Sequence, residues 1–462
     1  MDIKIGLEIH MYLKTKQKLF CECTIPTKES ATNSTICPVC TGQPGAKPQL
    51  PNKQAIANVL KLGLVFGSQL TQKTHFQRKH YTWPDMPIGY QKTVSGAHVV
   101  PTCVGGTFEG IGIEEIHVEE DPAAWDPQTG EVNYNRAGFP LAELVTKPEF
   151  TSTTQLAKWL QELILVSEYL GILNEEFGIK SDVNVSIKES GFSRVEIKNV
   201  NSYNGIVKAA EAEIKRQREA VANGERIAKE TRRYDEATDS TQFMRSKENA
   251  QDYRFIPDPD LPNVEIPEKL VSDLKSKLPE LPAQKRKKYA NFSLSAEDVE
   301  VLVSNLYLTE LFEYALSLKL KPKEVGLFLR REIPRVLNYH KATFEDLKAK
   351  NIKEEIAKMI KMLGEDKISY QTAQKTWDKL YESAFDVEKY IIDNGLVQVQ
   401  DTGFIRELVI KALKAAPQAV ADYKGGNSKA LNFVVGIVMR ESKSTAKPQV
   451  VNQLLEEEVK KL

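Results

Sequence analysis

Residues 181–202, SDVNVSIKESGFSRVEIKNVNS, alternate apolar and polar side chains on either side of a Gly-containing turn. Alternation with a period of two places the two sets on opposite faces of a strand, so the pattern predicts a β-hairpin. One face of this hairpin then carries carboxylate, amide and ammonium groups together, which does not suit a hydrophobic core. The cross-strand pairs that we expect are Lys188 with Arg194, Ser186 with Glu196, and Asn184 with Lys198.

The opening segment KIGLEIHMYL, residues 4–13, predicts a strand with a similar polar face. Its apolar residues point one way, while Glu8 and His10 project side by side on the other. From the rise per residue in a strand, their Cα atoms lie roughly 7 Å apart. That spacing allows a carboxylate and an imidazole to bind one divalent cation.

A third polar segment, EEIHVEED at residues 114–121, adds His117 and several acids. Strand alternation puts Glu119 on the face of His117, but Glu120 turns inward instead if the strand ends there. Carboxylates with one imidazole suit Mg²⁺ or Mn²⁺, usually with a nucleotide phosphate completing the coordination shell. The alternative for each acid, taken alone, is a solvated residue at the rim of the protein.

The composition is that of an ordinary globular protein of 462 residues. Lys+Arg and Asp+Glu each number 63, so the net charge favours neither a nucleic acid nor a membrane as the partner. No run of about 18 apolar residues predicts a membrane span, and no signal peptide is visible. Five cysteines, four of them clustered, favour a metal site in a reducing compartment. We expect a cytoplasmic protein.

The pattern of the sequence changes near residue 290. Short alternating strands and Gly, Pro and Asn turns dominate before this point, and helical patterning dominates after it. The segment DNGLVQVQDTG, residues 393–403, interrupts the helical part. We therefore predict an α+β fold, with an antiparallel-sheet domain at 1–290, a helical domain at 291–395 and a small helical tail domain at 396–462.

Two close pairs of cysteines, CEC and CPVC, are separated by a short loop. Cys21, Cys23, Cys37 and Cys40 together suit one tetrahedral Zn²⁺ site. Four thiolates leave no open position on the metal, so the predicted zinc is structural. The alternatives are four free thiols or two disulfides.

The loop QRKHYTWPDMPIGYQ, residues 77–91, places basic and aromatic residues between prolines. Such residues can hold a phosphate and stack on a base, although an ordinary surface loop fits the composition equally well. Arginines near metal-binding carboxylates suit phosphoryl transfer, because guanidinium groups stabilise charge on the transferred group. The candidate substrate-binding and ATP-binding residues are Arg78, Lys79, Tyr81, Asp85, Arg136, Lys198, Asn199, Asn201, Arg232, Arg245 and Arg254.

A set of motifs follows one order through nearly the whole chain: GLEIH, FCEC, CPVC, RKHY, PDMP, HVEED, YNRAGFPLAE, SDVNVS, EIKNVNS, ETRRYD, DYRFIPDPDLP and GNSKALNFVV. Together they resemble the B subunits of the tRNA-dependent aspartyl/glutamyl amidotransferases. The resemblance implies an antiparallel cradle domain related to the glutamine-synthetase-type catalytic fold. A helical domain and a tail domain that binds tRNA would follow it.

The resemblance also implies a reaction. ATP phosphorylates the side-chain carboxylate of Asp-tRNA(Asn) or Glu-tRNA(Gln), and ammonia then displaces phosphate to give the amide. The ammonia comes from a partner amidase, the A subunit, and a small C subunit completes a heterotrimer. Which of the two aminoacyl-tRNAs is used stays open.

The resemblance further implies which residues bind the Mg²⁺ or Mn²⁺ that accompanies ATP. Carried over by motif, the ligands are Glu8, His10, Glu120, Asp182 and Glu196. Strand alternation favoured Glu119 over Glu120, and both remain candidates. For the tail domain, we expect contacts to the tRNA backbone from Lys424, Lys429, Arg440, Lys443 and Lys447.

Two other functions fit part of the sequence. One is a zinc-containing RNA-binding module whose acids are merely solvated, and Mg·ATP binding that depends on Glu8 and His10 would exclude it. The other is an ATP-dependent ligase that uses free ammonia, and stable association with an amidase would exclude that. The sequence shows no amidase motif of its own.

Overall fold

The computed structural model describes residues 2–81, 83–246, 253–398, 402–425, 427–442 and 445–461, without the side chains of Asn199 and Ser428. The chain divides into two compact units, Met1–Leu281 and Pro282–Leu462. Residues 282–290, which we assigned to the first domain, belong to the second unit, where Tyr289 packs edge-on against Phe312. The further division near residue 395 stays a prediction.

The first unit contains strands and helices in the following order. They are β1 (Ile3–Tyr12), α1 (Lys53–Phe66), β2 (Gln69–Leu70), β3 (Lys73–Thr74), β4 (Gln77–His80), β5 (Tyr90–Thr93), β6 (Cys103–Val104), β7 (Thr107–Phe108), β8 (Ile111–Glu120), β9 (Ala124–Trp125), β10 (Val132–Asn133), β11 (Pro140–Thr146), α2 (Thr153–Tyr169), β12 (Ile179–Ile187), β13 (Val195–Val200), α3 (Tyr203–Ala222), β14 (Glu230–Asp235), β15 (Ser240–Ser246), β16 (Ile256–Pro257), β17 (Val264–Glu265) and α4 (Glu268–Ser276).

The main sheet follows the order β15-β14-β13-β12-β1-β11-β8-β5-β4-β16. Neighbouring strands in this order are antiparallel, except that β13 and β14 are parallel. Helix α3 connects β13 to β14, as parallel neighbours require a long crossover. The predicted α+β class, a mainly antiparallel sheet followed by helices, is confirmed.

Strand β1 lies in the middle of the sheet, and its two faces differ as the alternation predicted. Ile5, Leu7 and Ile9 are fully buried in a core that also contains Leu160 of α2 and Ile206 of α3. Since the helices cover this apolar face, the side chains that alternate with it lie on the other face. That second face is called the polar face below.

The predicted hairpin forms from β12 and β13, but its register differs from the one that we expected. Asn184 lies opposite Glu196 and not opposite Lys198. Residues Lys188–Ser190 leave the strand and wind into a short 3₁₀ turn, which shortens β12 and shifts the pairing. The predicted pairs Lys188 with Arg194 and Ser186 with Glu196 are therefore wrong.

The second unit is helical in its described part. Its helices are α5 (Pro282–Ala290), α6 (Ala296–Val303), α7 (Leu306–Ser317), α8 (Pro322–His340), α9 (Phe344–Ala349), α10 (Lys353–Gly364), α11 (Tyr370–Glu382), α12 (Val387–Asp393), α13 (Thr402–Ala415), α14 (Pro417–Lys424), α15 (Leu431–Glu441) and α16 (Pro448–Val459). The last four helices share a core of their own around Val409, Val434 and Val451. Within the described ranges, none of the helices has both the length and the apolar character that crossing a membrane would require.

Candidate active site

One row of polar residues crosses four neighbouring strands on the polar face. Lys180 of β12 lies opposite His10 of β1. His10 lies opposite Glu143 of β11, which in turn lies opposite His117 of β8. Residues directly opposite each other on neighbouring strands share a face, so the ladder brings together side chains that are distant in the chain.

His10, Glu119 and Glu143 form a first cluster of possible metal ligands, whose ligand atoms all lie within 4.8 Å of one another. Nε2 of His10 lies 3.1 Å from Oε1 of Glu119 and 3.4 Å from Oε2 of Glu143. Burial alone lowers the pKa of His10, but the two carboxylates outweigh burial and raise the pKa to about 10. A divalent metal would therefore have to displace a proton from this ring.

His117 lies behind the first cluster and is almost fully buried. Its Nε2 lies 3.3 Å from Oε2 of Glu143, and its Nδ1 lies 3.0 Å from Oε1 of Glu115. Glu115 also accepts a hydrogen bond of 2.7 Å from the Ser95 hydroxyl. His117 thus lies beside the Glu143 carboxylate on the side opposite His10, where the partner of a metal ligand commonly lies.

Glu8, Asp182 and Glu196 form a second cluster, again with ligand atoms within 4.8 Å of one another. Burial and the neighbouring acids Glu143, Asp182 and Glu196 raise the pKa of Glu8. The ammonium group of Lys198 lies 2.5 Å from Asp182 and 3.4 Å from Glu196. The second cluster is therefore a set of crowded carboxylates whose charge a lysine partly neutralises.

The donor atoms of the two clusters fit a hard divalent cation, since carboxylate oxygens with one imidazole nitrogen suit Mg²⁺ or Mn²⁺. Two further oxygens support this fit. Asn184 donates a hydrogen bond of 3.3 Å to Glu8, yet its own Oδ1 is buried and has no hydrogen-bond partner among the described residues. The buried hydroxyl of Thr93, which lies opposite Glu119, also has none. Buried oxygens without partners are unusual and are consistent with a ligand or ordered water at this position.

The structure separates the two acids between which the sequence could not decide. Glu119 belongs to the first cluster. Glu120 lies on the other side of β8, where it accepts hydrogen bonds of 3.0 Å and 2.8 Å from the backbone N–H and the ammonium group of Lys92. Because β8 continues through Glu120, strand alternation keeps Glu120 away from His10.

Glu143 is the member of the two clusters that sequence reasoning missed. It lies in the apolar segment PLAELVT of β11, which we interpreted only as part of a motif. A single carboxylate in a buried strand is costly unless it has partners, and that was the available signal. His10 and His117 hold its pKa well below the ordinary value, despite the opposing effect of burial.

Among the predicted phosphate-binding residues, Lys79 lies on the polar face and Arg78 does not. Lys79 alternates with Arg78 along β4, and the carboxylates of Glu143 and Glu119 raise its pKa in spite of burial. Arg78 instead forms ion pairs of 3.1 Å with Asp258 and 3.0 Å with Asp260. These two neighbours in sequence therefore have different surroundings.

A similar separation occurs on β14. Arg232 contacts Glu230 at 2.6 Å and approaches the fully buried Glu213 of α3, so it lies on the helix-covered side. Arg233, which we did not select, lies opposite Lys198 in the ladder and therefore shares the polar face. Arg232 is thus placed to stabilise the fold rather than to contact a ligand on the polar face.

Asp121 forms the centre of a buried ionic group at the edge of the polar face. It accepts hydrogen bonds from Tyr12 at 2.7 Å and Lys180 at 2.6 Å, and Arg136 lies at 2.9 Å. Arg136 also donates to the carbonyl oxygens of residues 122 and 123. Asp85 lies close enough for its charge to interact with Arg136, while burial raises the pKa of Asp85.

The other selected residues are not brought into the two clusters. Tyr81 packs edge-on against Tyr253 at 6.2 Å between ring centres, and Arg254 contributes its backbone carbonyl to His80. Arg245 and Asn201 are exposed, and Arg245 lies opposite Thr231. The side chain of Asn199 lies outside the described part of the structure.

The four clustered cysteines converge, as their spacing predicted. Their sulfur atoms all lie within 4.8 Å of one another, and none of the described cysteines forms a disulfide. Contact with Cys21, supported by Lys18, lowers the pKa of Cys40 to about 5 despite burial. The ammonium group of Lys18 is almost fully buried and lies 3.5 Å from the Cys40 sulfur. Four sulfur atoms that converge in this way, one of them favoured as a thiolate, fit a metal such as zinc.

Comparisons with known proteins agree over almost the full chain. Residues 3–272 match the family described as the GatB/GatE catalytic domain, and residues 310–459 match the family described as the GatB domain. A protein of Methanocaldococcus jannaschii, named as the B subunit of aspartyl/glutamyl-tRNA(Asn/Gln) amidotransferase, is 40% identical over 100% of this chain and 98% of its own length. Proteins of the same name from Methanopyrus kandleri and Methanothermobacter thermautotrophicus are 39% and 38% identical, each over 99% of this chain and over 98% and 100% of their own lengths.

Proposed function

This chain belongs to the family of aspartyl/glutamyl-tRNA(Asn/Gln) amidotransferase B subunits, and on that premise we propose that its polar face is an ATP-dependent amidation site. The substrates would be Asp-tRNA(Asn), Glu-tRNA(Gln) or both. The side-chain carboxylate of the misacylated tRNA is phosphorylated by ATP, which releases ADP. Ammonia then displaces phosphate from the acyl phosphate and forms the amide.

The observation that carries this proposal is the pair of clusters next to each other on one sheet face. Glu8 and His10 lie two residues apart on the same face of β1, and they belong to different clusters. Two divalent cations at neighbouring positions would neutralise the phosphate oxygens during transfer of the phosphoryl group. His10, Glu119 and Glu143 would hold one cation, and Glu8, Asp182 and Glu196 would hold the other.

Residues around the clusters supply the remaining requirements of the reaction. Lys79 and Lys198 provide ammonium groups that can contact anionic oxygens of the nucleotide or the acyl phosphate. His117 and Asn184 hold ligand carboxylates in position from behind. Shielding from water is also required, since water would hydrolyse the acyl phosphate before ammonia reaches it.

The chain needs partners for the complete reaction. We propose that a glutamine-hydrolysing A subunit delivers ammonia and that a small C subunit completes a heterotrimer. The tail core of α13 to α16 would bind the tRNA backbone through exposed Lys424, Lys429 and Arg440. Of the other two lysines predicted to contact tRNA, Lys447 donates a hydrogen bond to Asp366, and Lys443 lies outside the described residues. The four cysteines would hold a structural Zn²⁺.

The test is ADP and amide formation by the purified complex with Mg·ATP and glutamine. We expect ADP release to require misacylated tRNA, and Asp-tRNA(Asn) and Glu-tRNA(Gln) should be compared in parallel. Correctly charged Asn-tRNA(Asn) is the control, because it has no carboxylate to phosphorylate. Binding of tRNA without any dependence of ADP release on the misacylated side chain would contradict the proposal.

A further inference from the structure

Lys198 contacts the carboxylates of the second cluster in the place where a metal ion would have to make its bonds. Its ammonium nitrogen lies 2.5 Å from Oδ2 of Asp182 and 3.4 Å from Oε1 of Glu196. Glu8, the third member of the cluster, also raises the pKa of Lys198. The side chain of Lys198 is 27% exposed, whereas those of Asp182 and Glu196 are 10% and 6% exposed. The lysine therefore reaches the cluster from its solvent side.

An ammonium group and a divalent cation compete for these oxygens. An ammonium group has three donors and no lone pair, so it cannot become a metal ligand. His10 differs in kind, because an imidazole nitrogen is itself a metal ligand. The two clusters are therefore unequal, because the first consists of possible ligands, whereas the second is in contact with an ammonium group that must leave before a metal ion can bind.

We propose that Lys198 is an exchangeable internal cation of the second cluster. Without nucleotide, Lys198 neutralises Asp182 and Glu196, and the first cluster binds a divalent ion more tightly than the second. When a phosphate-bearing ligand brings its own divalent ion, Lys198 moves off the carboxylates and its ammonium group contacts the phosphate. The inference rests on the proposed function and adds an order in which the two clusters fill.

The charges on the polar face support this order. A divalent ion that enters the second cluster without phosphate would meet the ammonium group of Lys198 at short range, and no phosphate oxygen would be present to take up that ammonium group. Two other lysines of this face are engaged elsewhere. Lys180 bonds to Asp121, and Lys79 lies 4.9 Å from the centre of the Tyr253 ring. Among the described residues, Lys198 is the lysine in contact with Asp182 and Glu196 of the second cluster.

The experiment is a Mn²⁺ titration of the purified complex, with free Mn²⁺ measured by electron paramagnetic resonance. We expect the wild type to bind one Mn²⁺ tightly and a second more weakly without nucleotide. Lys198→Met, which keeps the length and removes the charge, should tighten the second site by about tenfold or more, since a unit charge at this distance is removed. Lys198→Arg should keep the second site weak. Lys188→Met, in the exposed 3₁₀ turn, is the control and should match the wild type.

A nonhydrolysable ATP analogue extends the titration. It should tighten the second Mn²⁺ site strongly in the wild type and much less in Lys198→Met. If Lys198→Met folds poorly, Lys198→Gln is titrated instead, and the rise in melting temperature caused by Mn²⁺ should exceed that of the wild type. An unchanged second site in both uncharged variants would overturn the inference while leaving the proposed function intact. A wild-type complex that binds no Mn²⁺, with or without nucleotide, would overturn the proposed metal sites themselves.

Discussion

Oε2 of Glu143 lies between two imidazoles, 3.4 Å from Nε2 of His10 and 3.3 Å from Nε2 of His117. The three residues face one another directly across β1, β11 and β8. Glu143 is therefore next to another candidate metal ligand, His10, on one side and next to the almost fully buried His117 on the other. Its replacement is the sharpest test of the first cluster, because Glu143 was part of a sequence motif but received no role from it.

We expect Glu143→Gln to leave folding and zinc content intact and to lower tRNA-dependent ADP formation by about 100-fold or more. The amide keeps the shape of the side chain but removes the charge that a divalent ion would require, and a 100-fold loss corresponds to about 2.7 kcal/mol of transition-state stabilisation. The measurement is ADP release with misacylated tRNA. Glu114→Gln, an exposed position on β8, is the matched control. Equal rates for the two variants would exclude Glu143 as a ligand.

Glu196→Gln tests the second cluster in the same way. We expect the variant to assemble normally and to lose ADP formation and amide production, while glutamine hydrolysis by the partner is affected less. Glu189→Gln, in the exposed turn of the same hairpin, is the matched control and should keep full activity. Normal ADP release by Glu196→Gln would show that the reaction takes place elsewhere.

The pKa of His10 gives the dependence of metal binding on pH. Its folded value of about 10 exceeds the ordinary 6.5, so the protonated ring stabilises the metal-free fold fully below pH 6.5. That stabilisation disappears as the pH rises towards 10. A metal ion must displace this proton, so Mn²⁺ affinity should rise by about tenfold per pH unit between about pH 7 and 9.

The check is calorimetry of Mn²⁺ binding in buffers of different ionisation enthalpy, which counts the protons released. His10→Asn should bind Mn²⁺ more weakly and release one proton fewer than the wild type. An affinity that does not change with pH in the wild type would contradict the role of His10.

The cysteine cluster predicts about one zinc per chain. We expect Cys21→Ser combined with Cys40→Ser to lose the zinc and to lower the melting temperature markedly, since a structural metal contributes its binding free energy to folding. Metal analysis and thermal unfolding measure both effects. The protein that remains folded should keep its nucleotide-dependent chemistry. A zinc-free double variant as stable as the wild type would rule out the structural role.

The helices α13 to α16, which share one core, are the part of the chain that we expect to bind tRNA. Deleting residues 402–462 removes α13 to α16, which share one core, and should weaken tRNA binding and raise the apparent KM for aminoacyl-tRNA. The chemistry at saturating tRNA should be affected much less. Electrophoretic mobility shifts measure the affinity for tRNA, and steady-state kinetics measure the apparent KM for aminoacyl-tRNA. Unchanged tRNA affinity would assign the binding to another part of the complex.

Period-two alternation was enough to predict which side chains of β1 and β12 leave the core. Glu8, His10 and Asp182 all lie on the polar face, and each belongs to one of the two clusters. Such a prediction works because burial of alternate residues is a local property of one strand. The α+β class and the convergence of the cysteines followed from equally local signals.

Register and cross-strand partners were not predictable in this way. Residues 188–190 wind into a 3₁₀ turn, and no alternation pattern announces how many residues a hairpin loop uses. Glu143 meets His10 only because β1 and β11 pair, although more than a hundred residues separate them. The pairing depends on the packing of the whole sheet, and a motif read along one strand does not contain it.

The row of Lys180, His10, Glu143 and His117 also has a practical consequence for anyone who refolds this protein. A slip of one residue in the β1–β11 ladder or in the β11–β8 ladder would turn the side chains of one of these strands towards the helices. Such a molecule could retain its helix content and pass as native by circular dichroism, yet it would lack the first cluster. The stoichiometry of tightly bound Mn²⁺ would then count the correctly paired molecules in a batch, and low specific activity would point to strand misalignment before any damage to individual residues is considered.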